Sequence, residues 1–474
     1  MFLLIVVLLS YILGKACYRL FFHPLHAFPG PKLAAITSLY EFYYAIVKDG
    51  QFIWEVGRLH DKYGPIVRIT PHELHIRDLS FYNEIYANGS RVRDKSSSFV
   101  RFFGVPDSLV ATVDHNHHRQ RRKILNKYFS RRAVLEVQPL IQAKVDALMQ
   151  HFSRAYREQS VINLSIAFSA LIGDIISNYA YSQDYGFLED IEHLNEIKTA
   201  TQALGSCEKV FPQAARVIKV QERLGEQANV AMSAKRTMPL PNTVFTSLID
   251  QRLPSEERTL DRLQDEGYIL LGAGIESVTW TLSVTMFYLL GNKKFLYRLH
   301  EELGLVMPQP NHVPSLSKLK ALPLLRATIR EGLRLSIGIL SRLPRVAPFE
   351  ALNYNGYIIP PGTPVSQSAY SVHMDPQHFP DPHTFNPERW LGTAEEIRAL
   401  ESMLVPFSRG SRQCLGMNLA YAKLFLSAAT LVRRYDLELV DTTLDNVEPY
   451  RDHFLVVPKN GHRGIKAIIT QEYT

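Results

Sequence analysis

Phe407-Ser-Arg-Gly-Ser-Arg-Gln-Cys414-Leu-Gly416 sets one cysteine among two glycines, a phenylalanine and an arginine. The grouping suits a metal-bound thiolate. Its sulfur must stay deprotonated, which nearby dipoles or cations favour. Amide donors around the sulfur tune how much electron density it gives a metal. Gly410 and Gly416 lack Cβ atoms, so the backbone can approach the sulfur and a flat cofactor closely. Phe407 can pack on a cofactor edge, and Arg412 can pair with an anionic substituent. A buried, inert cysteine is the commoner fate of a lone Cys, so the rest of the chain has to decide.

A second run, Leu324-Leu-Arg-Ala-Thr-Ile-Arg-Glu331-Gly-Leu-Arg334-Leu, reads as a half-buried helix. Glu331 and Arg334 share one of its faces and can pair, although a solvated surface pair is the usual reading of such spacing. A third, Leu270-Leu-Gly-Ala273-Gly274-Ile-Glu276-Ser277-Val-Thr279, interrupts an apolar helix expected over about 260–290. Glycines inside a helix cost about 1 kcal/mol each relative to Ala. Residues that break local rules without visible gain are often functional. The alternative is a helix crossing where glycine allows close approach.

The cysteine run resembles the haem-binding pattern of the cytochrome P450 family: Phe, two free positions, Gly, one free, Arg, one free, Cys, one free, Gly. The resemblance implies haem b as cofactor, with Cys414 as axial ligand of the iron, pushing electrons onto it to favour O–O cleavage. It implies that Arg389, in Phe385-Asn-Pro-Glu-Arg389-Trp, completes a buried network with Glu331 and Arg334 that braces the cysteine loop. It further implies that Ala273 and Gly274 open a groove for dioxygen, and that Glu276 and Ser277 deliver protons there as general acids. The chain departs from the family at Ser277, where threonine is usual. Serine keeps the hydroxyl but lacks the rotamer-restricting methyl, so looser coupling of oxygen activation to product is expected.

By the same resemblance, Arg412, His118, Arg122 and Arg345 would hold the haem carboxylates. His118 and Arg122, four apart, share a helix face, with histidine where the family usually has tryptophan. His115, His117 and His118 could instead form a zinc site, which no nearby Cys or second His pair supports. Weaker family features reach both ends: Phe28-Pro-Gly-Pro31, Tyr63-Gly-Pro-Ile-Val-Arg68 and Pro360-Pro-Gly-Thr363.

The 474 residues contain no Ser/Gly linker, low-complexity tract or internal repeat, which favours one large catalytic domain. Helical patterns run over about 118–152, 260–290, 293–304, 318–335 and 414–433, and strand-like runs over 66–77, 343–366 and 450–458. The expectation is a mainly α fold with small β-sheets, an α+β arrangement matching the family's fold. Residues 1–22 are expected to form an N-terminal membrane anchor, 23–35 a proline-rich hinge and 36–474 the haem domain.

The first fourteen residues carry no charge, fewer than the roughly 20 needed to span a bilayer. Lys15 and Arg19 follow, and basic residues there place the next domain in the cytoplasm. A single-pass anchor in the endoplasmic reticulum membrane, with a cytosolic catalytic domain, is therefore expected. A signal peptide is the alternative, but no small-residue cleavage site follows clearly. Three cysteines, Cys17, Cys207 and Cys414, fit a reducing compartment. The sequons at Asn88 and Asn163 should then be bare, and a glycan on either would reverse the orientation.

Lys+Arg 53 against Asp+Glu 46 gives a mild net charge of +7, and no basic–aromatic repeat points to nucleic acid. If the resemblance holds, Arg119–Lys123, Arg131, Arg132 and Arg409 lie near the proximal haem face. An acidic NADPH-cytochrome P450 reductase would dock there, although a plain solvated or lipid-facing surface is as good a reading. Phe99, Phe102, Phe103, Val105, Leu204, Phe211, Ile269–Gly274, Ile337, Ile339 and Leu340 are the expected substrate lining, apolar enough for a lipophilic small molecule. The N-terminal segment and the Asp114–Arg122 region resemble fungal members that decorate secondary metabolites, including trichodiene-oxygenase-like enzymes. That favours a terpenoid, with polyketide or alkaloid substrates behind it. The function expected is monooxygenation with O2 and reductase electrons. The alternatives are a reductase-independent haem-thiolate isomerase or dehydratase, which the Glu276–Ser277 pair argues against, and a non-catalytic scaffold.

Overall fold

The computed structural model of the chain describes residues 1–189, 243–461 and 464–473. Helices dominate it, with small sheets beside them. The N-terminal helix α1 (Phe2–Phe21) is 20 residues long and none of them is buried. It outlasts the charge-free run because Lys15 and Arg19 lie in its closing turns, where long basic stems accompany apolar surface. Its length and mean hydropathy of 1.8 are those of a membrane-crossing helix. Arg19 Nη1 donates to Ile36 O at 2.6 Å, and the buried Arg68 donates to Arg19 O at 3.0 Å, Leu25 O at 3.3 Å and Pro71 O at 2.8 Å. Arg68 N–H also donates to Pro29 O at 2.7 Å, which fastens the Phe28–Pro31 segment to the strand Ile66–Arg68. A Cβ at Gly30 would sit 2.5 Å from Arg68 O, so glycine is required there.

The single helix expected over 118–152 is three: α2 (His115–Asn126), α3 (Arg131–Glu136) and α4 (Gln138–Glu158). Ser130 caps α3 by accepting the Ala133 amide, and Pro139 begins α4 in its first turn. Asn163, the sequon residue, caps α5 (Leu164–Tyr181) by accepting the amides of Ser165 and Ile166. Most of α5 is buried, because it lies against α6 (Leu260–Gly291) in the main core. α6 runs unbroken for 32 residues through the glycine-rich stretch expected to interrupt it. Tertiary packing explains the tolerance: a Cβ at Gly274 would lie 2.9 Å from Ile176 Cγ1 of α5. Lys293–Val306 forms α7. The helix expected over 318–335 divides into α8 (Leu316–Ala321) and α9 (Pro323–Ser336), because Pro323 has no N–H and suits a first turn. Met417–Arg434 forms α10, directly after the cysteine run.

A five-stranded sheet has the order Ile66–Arg68, Leu74–Ile76, Pro364–Ser366, Arg345–Val346, Asp94–Lys95. Its last pair sets Lys95 opposite Arg345. A hairpin, Pro449–His453 with Leu455–Pro458, turns at Phe454. Together these elements put the cysteine loop, α2, α6, the Arg345 strand and the hairpin around one interior space.

Candidate active site

That space is a cavity of about 420 Å³. Cys414 is exposed and lines it, and backbone hydrogen bonds hold its loop. Cys414 N–H donates to Phe407 O at 3.0 Å and Ser411 N–H to Ala87 O at 3.1 Å. Gly410 has φ 75°, and a Cβ there would be 2.2 Å from Tyr86 O. Its glycine therefore serves the approach of the loop to the Tyr86–Ala87 backbone rather than to the sulfur. Gly416 borders the cavity, and among the described residues a Cβ built there meets open space. Burial pushes the Cys414 thiol up, while the Gly416 amide, Arg122, Lys423 and the Met417 amide pull it down. Phe407 also borders the cavity and packs on Tyr421 with ring centroids 5.2 Å apart.

One side of the cavity is basic. Arg122, Arg345, Arg412 and His118 all border it, joined by Lys95, which the sequence reading did not single out. None of the five pairs with a carboxylate among the described residues. Burial is the largest influence on each. It holds His118 down to about 2, with Arg412 and Lys95 adding to the effect, so the imidazole is neutral. It takes Arg412 to about 9 and Lys95 well below the usual lysine range, with Arg345 adding to both. Such a cluster repels itself until anions enter, and a porphyrin with two carboxylates satisfies it. Among the described residues Arg122 makes one carbonyl bond, its Nη1 donating to Gln413 O at 2.6 Å. Arg345 Nη1 donates to Leu343 O and Pro344 O, both at 3.2 Å, and its guanidinium lies over the Tyr86 ring. Arg412 is less free than expected, since it already donates to Thr112 O at 2.7 Å, Val113 O at 2.6 Å and Arg93 O at 3.4 Å. The zinc alternative does not form. His115 turns to the Arg93 backbone, His117 bonds Glu257 at 2.5 Å, and only His118 reaches the cavity.

Helix α6 supplies another wall, with Ala273, Glu276 and Ser277 on it. Ser277 Oγ donates to Ala273 O at 2.9 Å, which fixes its rotamer. Gly274 borders the cavity too, but the site of its missing side chain is filled by Ile176, so close packing of α5 is what requires glycine.

Behind the cysteine loop, Arg334 Nη2 and Nε bond Glu331 at 2.7 and 3.0 Å, and both residues are fully buried. Arg389 Nε reaches Glu331 at 3.2 Å, the Trp390 indole N–H at 2.9 Å and the Asn386 amide at 3.0 Å. Arg334 also donates to His373 O at 3.1 Å, and His373 Nε2 accepts the Val405 amide at 2.9 Å. His373 thus links the network to the start of the cysteine loop. Sequence reasoning missed it, because nothing local marks it out.

Of the expected lining, Phe99, Phe102, Phe103, Ile339 and Ile269–Gly274 border the cavity, apart from Leu271, which is buried in the core. Val105, Ile337 and Leu340 do not; they are buried in the core, and Ile337, with φ 62°, turns into a cluster with Ile53 and Val456. Leu204 and Phe211 lie outside the described residues. Further lining residues were missed, Phe454, Tyr268 and Lys423 among them. Phe454, at φ 72°, packs edge-on to Phe103 at 4.9 Å. The Tyr268 hydroxyl is buried and has no hydrogen-bond partner among the described residues, and Lys423 projects from α10. No local pattern could have found them, since each reaches the site only through the fold.

Residues 35–463 match the family model described as cytochrome P450. The chain is 43% identical to conidiogenone synthase PchP450 of Penicillium rubens, over 98% of each chain. It is 40% identical to cytochrome P450 monooxygenase TRI4 of Trichoderma arundinaceum, over 95% of this chain and 91% of the relative. Among solved structures, retinoic acid bound cyanobacterial CYP120A1 superposes with a TM-score of 0.75 at 21% identity, covering 93% of this chain and 98% of that one.

Proposed function

The chain belongs to the cytochrome P450 family and is a haem-dependent monooxygenase; from that premise we propose that Cys414 is the thiolate ligand of the haem iron. We likewise assign Glu276 and Ser277 to proton delivery on the facing wall. One observation carries this reading: the sulfur, the acid–alcohol pair and the basic cluster border one cavity, though they come from distant parts of the chain. When bound, the haem supplies dioxygen activation, and a thiolate ligand favours O–O cleavage. Arg122, Arg345, Lys95 and His118 hold its carboxylates, with Arg412 contributing the donors left free by its three carbonyl bonds. The Glu276 carboxyl group would hand on a proton, and Ser277 would relay it through a hydroxyl released from Ala273 O. Phe99, Phe102, Phe103 and Phe454 exclude water and orient the substrate.

The substrate is a lipophilic small molecule, and a terpenoid of fungal secondary metabolism is the class we favour. The apolar wall supports it, as does the likeness to conidiogenone synthase and TRI4. Electrons come from an NADPH-cytochrome P450 reductase. Helix α1 and the 23–35 hinge anchor a cytosolic catalytic domain, residues 36–474, in the endoplasmic reticulum membrane; the exposed, apolar α1 supports this.

The carbon-monoxide difference spectrum of the reduced protein tests the core of the reading. Wild type is expected to show the strongly red-shifted Soret band of thiolate-ligated haem, and Cys414→Ser to lose it. A wild type that holds haem without that band removes Cys414 as ligand. Turnover that needs no NADPH would favour the isomerase or dehydratase alternative.

A further inference from the structure

Lys423 is 2% exposed, and its ammonium donates to Gly274 O at 3.0 Å. It forms no ion pair with a carboxylate among the described residues. A buried cation whose visible partner is a neutral carbonyl costs folding free energy, because desolvation is not repaid by a counter-charge. An apolar side chain of similar length would fill the same space without that cost. Residues that break the rules of a core in this way are expected where function requires them.

The position explains the exception. Lys423 projects from α10, the helix that begins three residues after Cys414, and lines the cavity. Its acceptor belongs to α6, two residues before Glu276 and three before Ser277. A helix carbonyl keeps a second lone pair beside its helical bond, and here the ammonium takes it. The neighbouring carbonyl, Ala273 O, accepts the Ser277 hydroxyl. The Ala273 and Gly274 carbonyls are therefore each held by a side chain, one from within α6 and one from α10, which packs against it.

We infer that Lys423 is a positioning residue for oxygen activation: its ammonium fixes the Glu276–Ser277 segment of α6 to the helix behind the cysteine ligand and places positive charge beside the thiolate. The inference rests on the monooxygenase reading. It assigns no proton transfer to Lys423 itself; the lysine sets where the donors stand and the field at the sulfur.

The test compares wild type with Lys423→Met and Lys423→Arg as haem-loaded full-length proteins. Three quantities are read: the melting temperature, the midpoint potential of the haem iron, and the fraction of NADPH electrons released as peroxide with a reductase and no added substrate. Lys423→Met is expected to melt at or above the wild-type temperature and to keep the thiolate–CO band. Its potential should shift negative, because a nearby cation favours the reduced iron, and its peroxide fraction should rise. Lys423→Arg should restore the potential. Unchanged potential and peroxide fraction in Lys423→Met would overturn the inference. If Lys423→Met fails to fold, Lys423→Gln, which keeps a donor and loses the charge, decides by the same potential: a negative shift supports the role and no shift refutes it. A wild type without the thiolate–CO band would remove the monooxygenase reading instead, so the two failures are distinguishable.

Discussion

Ser277 stands where the family usually has threonine, and the structure gives that change a physical consequence. Its hydroxyl bonds Ala273 O at 2.9 Å. To deliver a proton it must leave that carbonyl, and serine has no methyl to limit where it turns next. Ser277→Thr is therefore expected to release less peroxide per NADPH consumed; an equal or larger release would show that the methyl is irrelevant here. Cys414, Glu331 and Arg334 were legible as residues because each sits in a short run whose spacing has chemical meaning. Lys95 and Lys423 were not, because a lysine in sequence carries no sign of being buried. Tyr268 was not either, since the lack of a hydrogen-bond partner is a fact about its surroundings.

At the scale of elements, the Glu331 network joins α9 to the 373–390 segment and, through His373, to the cysteine loop. Removing one partner leaves a buried charge uncompensated, which costs about 3–5 kcal/mol. Glu331→Ala is expected to yield protein without haem, and recovery with full haem content would sink that expectation. A second tie joins α6 to the aromatic loop before α2. Asp265 accepts the Asp107 amide at 2.8 Å, and Glu266 the Leu109 amide at 2.8 Å. Burial raises the Asp265 carboxyl to about 6, and Asp107 and Asp261 add to it. The folded-state value thus lies above the unfolded one, so folding takes up a proton between about 4 and 6. The stability cost of ionising Asp265 is absent below that window and complete above it. Asp265→Asn should raise the melting temperature at pH 8, with the gain shrinking toward pH 4; a gain independent of pH would exclude ionisation as the cause. Both ties were invisible in sequence, because each links segments far apart in the chain. The divisions of 118–152 and 318–335 were partly visible: Pro139 and Pro323 mark starts, but periodicity runs straight across them.

For the whole molecule, the exposed basic groups Arg119, Lys123, Arg131 and Arg132 lie on α2 and α3, whose buried side supplies His118. Arg409 is partly withdrawn, over Tyr82 and bonded to Asn83 at 3.1 Å. If an acidic reductase docks on this face, its electron-transfer rate should fall steeply with ionic strength, because screening weakens steering between exposed charges. A flat profile would remove the docking proposal. The sequence by itself determined the helix-rich class and the apolar helix at the N-terminus, because periodicity and hydropathy are local, and it singled out the cysteine run and the Glu276–Ser277 pair, whose roles the family resemblance implied. Only the tertiary structure decided which residues face the cavity: that Gly274 serves packing, that Val105, Ile337 and Leu340 turn into the core, and that Lys95, Tyr268, Phe454 and Lys423 turn into the site. The reason is physical. Burial, pairing and the cost of a lone charge depend on what surrounds a side chain, and those surroundings exist only once distant segments have packed together.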